Sequence, residues 1–278
     1  MKVKHSSAVI FIIIAVAIAA IASIWYLQFK RPHDLAVADF NTAAAYVQSK
    51  NAELDAALNK LQSVVDSDES PLDEAALTGA QAAIAAVQES KVEIPTISKK
   101  TGDILADTQK LREPLDYSAK IEELENATKS LEDSIRQLKQ ITNPSEEFVI
   151  KRLQTIPAIA GIQAATEEHD PNGKLNKQNG YTAAVFFASA LIEQDKVYGS
   201  GILEKGTDGG GCVEVYATRE DAEKRNTYLS AFDGATMLSP GSHSVAGTVV
   251  IRTSDEHTAT EQKELEKQIL NALTALEE

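Results

Sequence analysis

Between Ala8 and Leu27 the chain reads AVIFIIIAVAIAAIASIWYL, twenty residues without a charge, and this run constrains everything that follows it. A bilayer hydrocarbon core of roughly 30 Å needs about 20 apolar residues at a helical rise of 1.5 Å. The flanks have the composition of a membrane boundary. Lys2 and Lys4 precede the run, Trp25 and Tyr26 lie where an aromatic belt forms, and Lys30 and Arg31 follow before Pro32. A chain of this kind is expected to hang from a membrane by residues 8–27, with the lipid bilayer as its first partner. The competing expectation is a cleaved signal peptide, since Ala20-Ile21-Ala22 has the small-x-small cleavage pattern. The run is long for a signal core, however, and it continues past that point into an aromatic pair and a basic stop, which favours a signal-anchor. No cysteine adjoins it, which excludes a lipoprotein anchor.

Basic residues flank both ends, so orientation rests on the very short N-terminal tail and the long folded segment after the run. Together they favour the N-terminus inside and the bulk of the chain outside the cytoplasm. The anchor region holds four of the 27 basic residues and none of the 41 acids, leaving the remainder with a net charge of −18. Such a surface repels a phosphate backbone, so nucleic acid is excluded as a partner class. The single cysteine, Cys212, cannot form an internal disulfide, so folding must rely on packing. That is compatible with a Gram-positive envelope.

Three segments follow from the patterning: a tail and anchor over 1–31, a helical stalk or bundle over 32–143, and an α+β domain over 144–278. The second contains only Gly79 and Gly102 and is rich in Ala, Leu, Glu, Gln and Lys. Phe40, Ala44, Val47, Asn51, Leu54, Leu58, Leu61 and Val65 fall on one seam of a heptad, with Asn51 as the polar member that could fix register. Ser70 as N-cap and Pro71 at the first position open a second helix, about 71–91, burying Leu77, Ala80, Ile84 and Val87. A third helix over 98–113 carries Thr101, Ile104, Thr108, Leu111 and Leu115, interrupted by Pro114. A fourth has the seam Tyr117, Ile121, Leu124, Thr128, Leu131, Ile135 and Leu138 and ends near Pro144. Short connections predict antiparallel neighbours, hence a three- or four-helix bundle or hairpin coiled coil whose seams pack within one chain, with a homo-oligomer through those seams as the alternative.

Beyond Pro144 the apolar period shortens to two, and the other twelve glycines all lie there. After a short helix over 145–156, capped by Asn143 or Ser145, strands are expected at 161–166, 181–189, 212–216 and 244–252. The run Ala183-Ala184-Val185-Phe186-Phe187 is apolar on both faces and should be central. Cys212-Val213-Glu214-Val215-Tyr216 alternates and should face water on one side. A helix over 218–231, opened by Thr218-x-x-Asp221, and a closing amphipathic helix with Leu265, Ile269, Ala272, Leu273 and Leu276 complete the domain. The expected fold is an α+β sandwich, a four-stranded, mainly antiparallel sheet with helices on one face.

The polar constellations point weakly toward chemistry. Glu167-Glu168-His169-Asp170-Pro171-Asn172-Gly173 offers carboxylate, imidazole and amide groups but lacks the ligand order of a calcium loop, and Asp-Pro-Asn-Gly is itself a turn sequence. Gly206-Thr207-Asp208-Gly209-Gly210-Gly211 runs into a strand with no Lys-Ser/Thr behind it, so it reads as a hairpin or bulge and not a phosphate loop. Cys212 has no local signature joining it to His169, His243 or His257, and those histidines are too far apart in sequence for a zinc motif. Ser200 lacks the nucleophile elbow. Arg219, Lys224 and Arg225 could meet an anion, but Glu220, Asp221 and Glu223 neutralise them, giving a solvated helix face. No catalytic, cofactor-binding or metal-binding residue is assigned.

The short basic tail, single anchor, alanine-rich helices and the segments YTAAVFFAS, GTDGGGCVEVYATREDAEKRNTYLSAFDG and GTVVIRTSDE together resemble single-pass envelope proteins of actinobacteria, bifidobacterial ones especially. Residues 40–141 are similar in composition and heptad pattern to the three-helix modules of Ebh-type extracellular-matrix-binding proteins. The resemblance imports no active site. The whole chain reads as a membrane-anchored, extracytoplasmic, non-enzymatic interaction protein that uses its helical stalk to present a small α+β domain to an envelope protein or polymer. The alternatives are an accessory subunit of a membrane complex or an envelope enzyme using the loops near His169 and Asp208. A small-residue stripe at Ala15, Ala19 and Ala22 or Ser23 suits helix association in the membrane.

Overall fold

The computed structural model describes residues 4–88, 90–234 and 239–277; Lys2, in the basic tail, and Glu89, near the expected end of the second helix, lie outside them. Helix α1 (Lys4–Trp25) passes through a π-helical turn (Tyr26–Lys30) into α2 (Arg31–Val65) without a break. The π turn is closed by the Arg31 N–H donating to the Tyr26 carbonyl, one residue further back than in an α-helix. Among the described residues this is the one helix long and apolar enough to cross a membrane, and none of its apolar window is buried. Ser23 satisfies its hydroxyl within the helix, donating to the Ala19 carbonyl at 2.8 Å.

The remaining helices of the first half are α3 (Glu74–Gln88), α4 (Thr101–Leu111) and α5 (Ser118–Gln140). Helix α3 starts three residues later than the Ser70-Pro71 signal implies. Ser134 binds the backbone of the preceding turn, its carbonyl accepting from Leu72 N–H at 3.1 Å and its hydroxyl from Asp73 N–H at 2.9 Å, and Asp73 then caps the helix by accepting from Ala75 N–H. The chain forms two compact units, Met1–Asp66 with Gly79–Thr128, and Ser67–Thr78 with Lys129–Glu278, so that α3 and α5 each contribute to both.

Within the first unit the path is up, down and up again, and not every neighbour is antiparallel. Lys91 pairs with Asp55 and the Asn51 amide donates to the Val92 carbonyl, so the chain descends along α2 from there; His33 then meets Thr101 at 3.4 Å. Helix α4 rises parallel to α2, with Arg112 at Asp39 and Tyr46 donating to the Leu115 carbonyl. Ala36, Phe40, Ala43 and Val47 of α2 close on Ile104 and Leu111 of α4 as one apolar cluster. Every a/d position of both predicted seams is buried or half-buried within the single chain. Asn51 fixes register here inside the chain: its Oδ1 accepts from the Tyr117 hydroxyl at 3.0 Å, and that hydroxyl accepts from Val92 N–H at 3.0 Å.

The second unit holds α6 (Glu146–Leu153), β1 (Ile159–Ala164), β2 (Ala183–Ser189), α7 (Ile202–Lys205), β3 (Gly210–Val215), α8 (Arg219–Ser230), β4 (Ser242–Ala246), β5 (Val249–Thr253) and α9 (Ala259–Thr274). Its sheet has five strands, not four, in the order β1-β2-β3-β5-β4, antiparallel throughout. The extra strand arises because the apolar run expected over 244–252 folds back on itself at Gly247, whose φ of +58° supplies the tight turn. Helices cover both faces and not one. Helices α6 and α9 pack on Val185, Phe187, Val213, Val215, Val249 and Ile251, while α8 packs on the face carrying Ala184, Phe186, Cys212, Tyr216 and Val250. The two-sided cover explains why β3 is buried along its whole length, where its alternation had suggested one wet face. Ser145 on α6 and Thr218 on α8 cap these helices where the sequence placed them, and α9 is opened by a Thr258–Glu261 capping box that the sequence reading had not marked.

Candidate functional site

Near the C-terminal end of β3, the middle strand of five, stands a fully buried carboxylate, Glu214. On the same face, Arg252 of β5 is its diagonal neighbour, because Glu214 lies opposite Val250 in the register, and its Nη1 donates to Glu214 Oε1 at 3.0 Å. Helix α8 begins directly after β3, and its Ala222, Arg225 and Leu229 recur at a spacing of three and four, turning that stripe onto the sheet. Arg225 therefore arrives over Glu214 and binds it with two prongs, Nε to Oε2 and Nη2 to Oε1, both at 2.9 Å. The Tyr216 hydroxyl donates to Oε2 at 2.8 Å, and the Asn172 amide approaches Oε1 at 3.4 Å.

Burial by itself would push the Glu214 carboxyl up, but the hydrogen bonds and charges of Arg225, then Arg252 and Tyr216, outweigh it and hold the group below the ordinary carboxylate range. Burial, reinforced by the Glu214 charge, pushes the Tyr216 phenol far up. One carboxylate against two guanidinium groups leaves the cluster with one positive charge, and Arg252 Nε is buried without a hydrogen-bond partner among the described residues.

The polar loop over 167–173 is tied to this cluster. Asp170 accepts from the backbone N–H groups of Asn172, Lys174 and Leu175 and from the Tyr181 hydroxyl, which makes it the keystone of the turn and not a metal ligand. Burial would raise the Asp170 carboxyl; the Tyr181 hydroxyl and these amides reverse that and hold it low. Tyr181 in turn stands edge-on to Tyr216, ring centroids 6.1 Å apart.

Between the loop and α8 opens a cleft of about 370 Å³, walled by Asn172, Lys174, Asn179, Asp221, Lys224, Arg225 and Tyr228. Arg225 forms part of its wall with Tyr228 stacked against the guanidinium at 5.6 Å, and Tyr228 is braced by Phe232. Lys224 is committed to Glu220 and Asp221. Lys174 carries a side-chain ammonium that has no ion-pair partner among the described residues. The wall thus holds three cations, Lys174, Lys224 and Arg225, against the one carboxylate of Asp221, beside one exposed aromatic ring, an excess of positive charge that suits an acceptor-rich polar or anionic group.

The other sequence candidates are dispersed. His169 is exposed, and Asp208 lies on the turn before β3, where its carbonyl accepts from Ser254 Oγ at 2.9 Å; neither borders the cleft. The glycine run forms a 3-10 turn (Gly206–Gly209) and then enters β3, where a Cβ on Gly211 would stand 2.3 Å from the Arg252 carbonyl and 2.4 Å from the Phe187 ring. Cys212 is fully buried beside these strands, and burial, then the Glu214 charge, pushes its thiol up. His243 is held by Asn226 and Asp233, and His257 by Ser189 and Ser254, none of them reaching Cys212. Ser200 bonds to Glu204 at the entry to α7. Among the described residues no three His, Cys, Asp or Glu side chains converge as a metal site.

Sequence reasoning missed the Glu214 cluster. Arg219 and Lys224 do form the solvated, ion-paired face it expected, pairing with Glu223 and Glu220, but Arg225 turns inward. The available signal was a lone acid in CVEVY and a lone base in GTVVIRT, opposite charges in two otherwise apolar strands.

Compared with protein-family models, curated proteins and solved structures, the chain matches none.

Proposed function

We propose that this is a membrane-tethered, extracytoplasmic binding protein, in which a helical unit rooted in the bilayer carries an α+β unit whose cleft beside α8 recognises an acceptor-rich polar or anionic group on an envelope protein or polymer. The observation that carries the reading is the unbroken helix from Lys4 to Val65, apolar and unburied at its start and packed through Phe40, Val47, Leu54 and Leu61 later on. A removable leader has a short apolar core ahead of its cleavage site, whereas here the helix runs through Ala20-Ile21-Ala22 and on into the bundle. In this reading anchor and folded unit share one continuous helix.

The test is protease shaving of intact cells, with mass spectrometry of released and retained fragments. Peptides from residues 40–278 should be released while the anchor stays with the cells. Protection of the whole chain until lysis overturns the extracytoplasmic reading, and recovery from untreated cells of a soluble chain beginning at Ser23 overturns the anchor.

A further inference from the structure

We infer that the turn over 97–100 is a second membrane contact, which docks on anionic lipid headgroups of the leaflet from which α2 emerges. The inference rests on the anchor reading and adds to it a part of the chain some seventy residues away in sequence. If residues 8–27 fill the hydrocarbon core, Leu27 marks its edge, and the headgroup layer extends about 5–7 Å beyond. His33 lies roughly 9 Å along the helix from Leu27, so Phe29, Lys30 and Arg31 fall within that layer and His33 about 2 Å outside it, within reach of a lysine side chain.

The fold brings the turn to the same height. Thr101 meets His33, and Lys99 shares a hollow of about 280 Å³ with Trp25, Phe29, Lys30, His33 and Asp34. Ile97, at the bottom of the descending extended segment, is 44% exposed, an apolar side chain that the chain covers only in part. Around it are Lys30, Arg31, Lys99 and Lys100 against two carboxylates, Asp34, which pairs with Lys30 at 3.1 Å, and Asp103, which accepts from Ser98. Arg31, Lys99 and Lys100 have no ion-pair partner among the described residues. Helix α4 also begins here with no side-chain cap on its first amides, so its N-terminus faces the same side. Exposed apolar residue, unpaired cations and open helix amides together match a lipid surface bearing phosphate, with Ile97 entering the interface and the lysines at the headgroups.

The experiment uses the full chain in vesicles of phosphatidylcholine alone or mixed with phosphatidylglycerol, containing a phospholipid with a nitroxide near its headgroup. Trp25 is the only tryptophan and reports the anchor. An environment-sensitive fluorophore on Ile97→Cys reports the turn, and the unsubstituted chain controls for labelling because Cys212 is fully buried. Trp25 should be quenched in both lipids. The fluorophore at 97 should be quenched mainly where phosphatidylglycerol is present, and Lys99→Gln and Lys100→Gln should each lower the docked-to-free ratio about fivefold. Quenching of Trp25 without quenching at 97 overturns the inference and leaves the anchor standing. Quenching at 97 that ignores both lipid charge and the lysines overturns the headgroup site, and absence of quenching at both positions overturns the anchor reading itself.

Discussion

The two units of this chain handle charge in opposite ways. In the helical unit the ion pairs lie at the surface, Lys50 with Glu53 or Arg112 with Asp39, and the interior is Phe40, Val47, Leu54, Ile104 and Leu111. Pairs of that kind each contribute little, about 0–1 kcal/mol, so the unit stands on apolar burial. The α+β unit places a carboxylate and two guanidinium groups inside, under α8, where Glu214 is the one carboxylate that both Arg225 and Arg252 pair with. One unit should therefore tolerate changes of charge and respond to changes of volume. The other should respond to both.

The most severe test is Glu214→Gln, which leaves Arg225 and Arg252 without their counter-charge. It should cost about 3–5 kcal/mol in the α+β unit and leave the helical unit unchanged, read as a shift of one denaturant transition and not the other. A shared transition that moves as a whole would erase the distinction. Leu54→Ala should do the converse, removing about 2–5 kcal/mol from the helical unit. Gly211→Ala forces a Cβ against the Arg252 carbonyl and the Phe187 ring, and a loss of about 1–3 kcal/mol in the α+β unit is expected from thermal melting.

Acid should separate the units as well. Because the Glu214 and Asp170 carboxyls are held below their ordinary values, the folded state binds fewer protons than the unfolded chain in acid. Their contribution is fully present above the unfolded values near about 4 and is lost as the pH falls through the depressed folded ones. Denaturant midpoints measured from pH 7 downward should be level and then fall, less steeply in Glu214→Gln. The smallest effect on stability should come from the cleft: Lys174→Ala and Tyr228→Ala should stay within about 0.5 kcal/mol of the parent while weakening retention on envelope fractions. Retention that both variants leave intact would remove the cleft from the binding surface.

The helical unit was legible because one periodicity governs it. Leu54, Leu58 and Leu61, and again Ile121, Leu124 and Thr128, recur in threes and fours, and a residue that keeps the pattern is nearly always inside. What the pattern could not supply was direction: α4 runs parallel to α2 because residues 90–100 descend as extended chain, and Pro95 with its neighbours carries no period at all. In the α+β unit, alternation located the strands but not the cover over them. Glu214 reads as a solvent-facing residue unless the guanidinium of Arg225, eleven residues later, is known to reach back to it. Arg225 sits among Glu220, Asp221, Glu223 and Lys224, where nothing in the local sequence separates the inward-facing cation from the outward-facing ones. The cleft was harder still, since its walls come from a loop at 172–179 and a helix at 221–228 that only the sheet brings together.

The π turn at Tyr26–Lys30 sets an angle. One extra residue in a helical turn advances the azimuth by about 100° relative to an uninterrupted α-helix. The stripe of Ala15, Ala19 and Ser23 therefore faces a different direction from the stripe of Phe40, Ala43 and Val47 than their spacing in sequence would give. Removing a single residue from this turn would rotate the apolar helix α1 against the packed part of α2, without altering the composition of either.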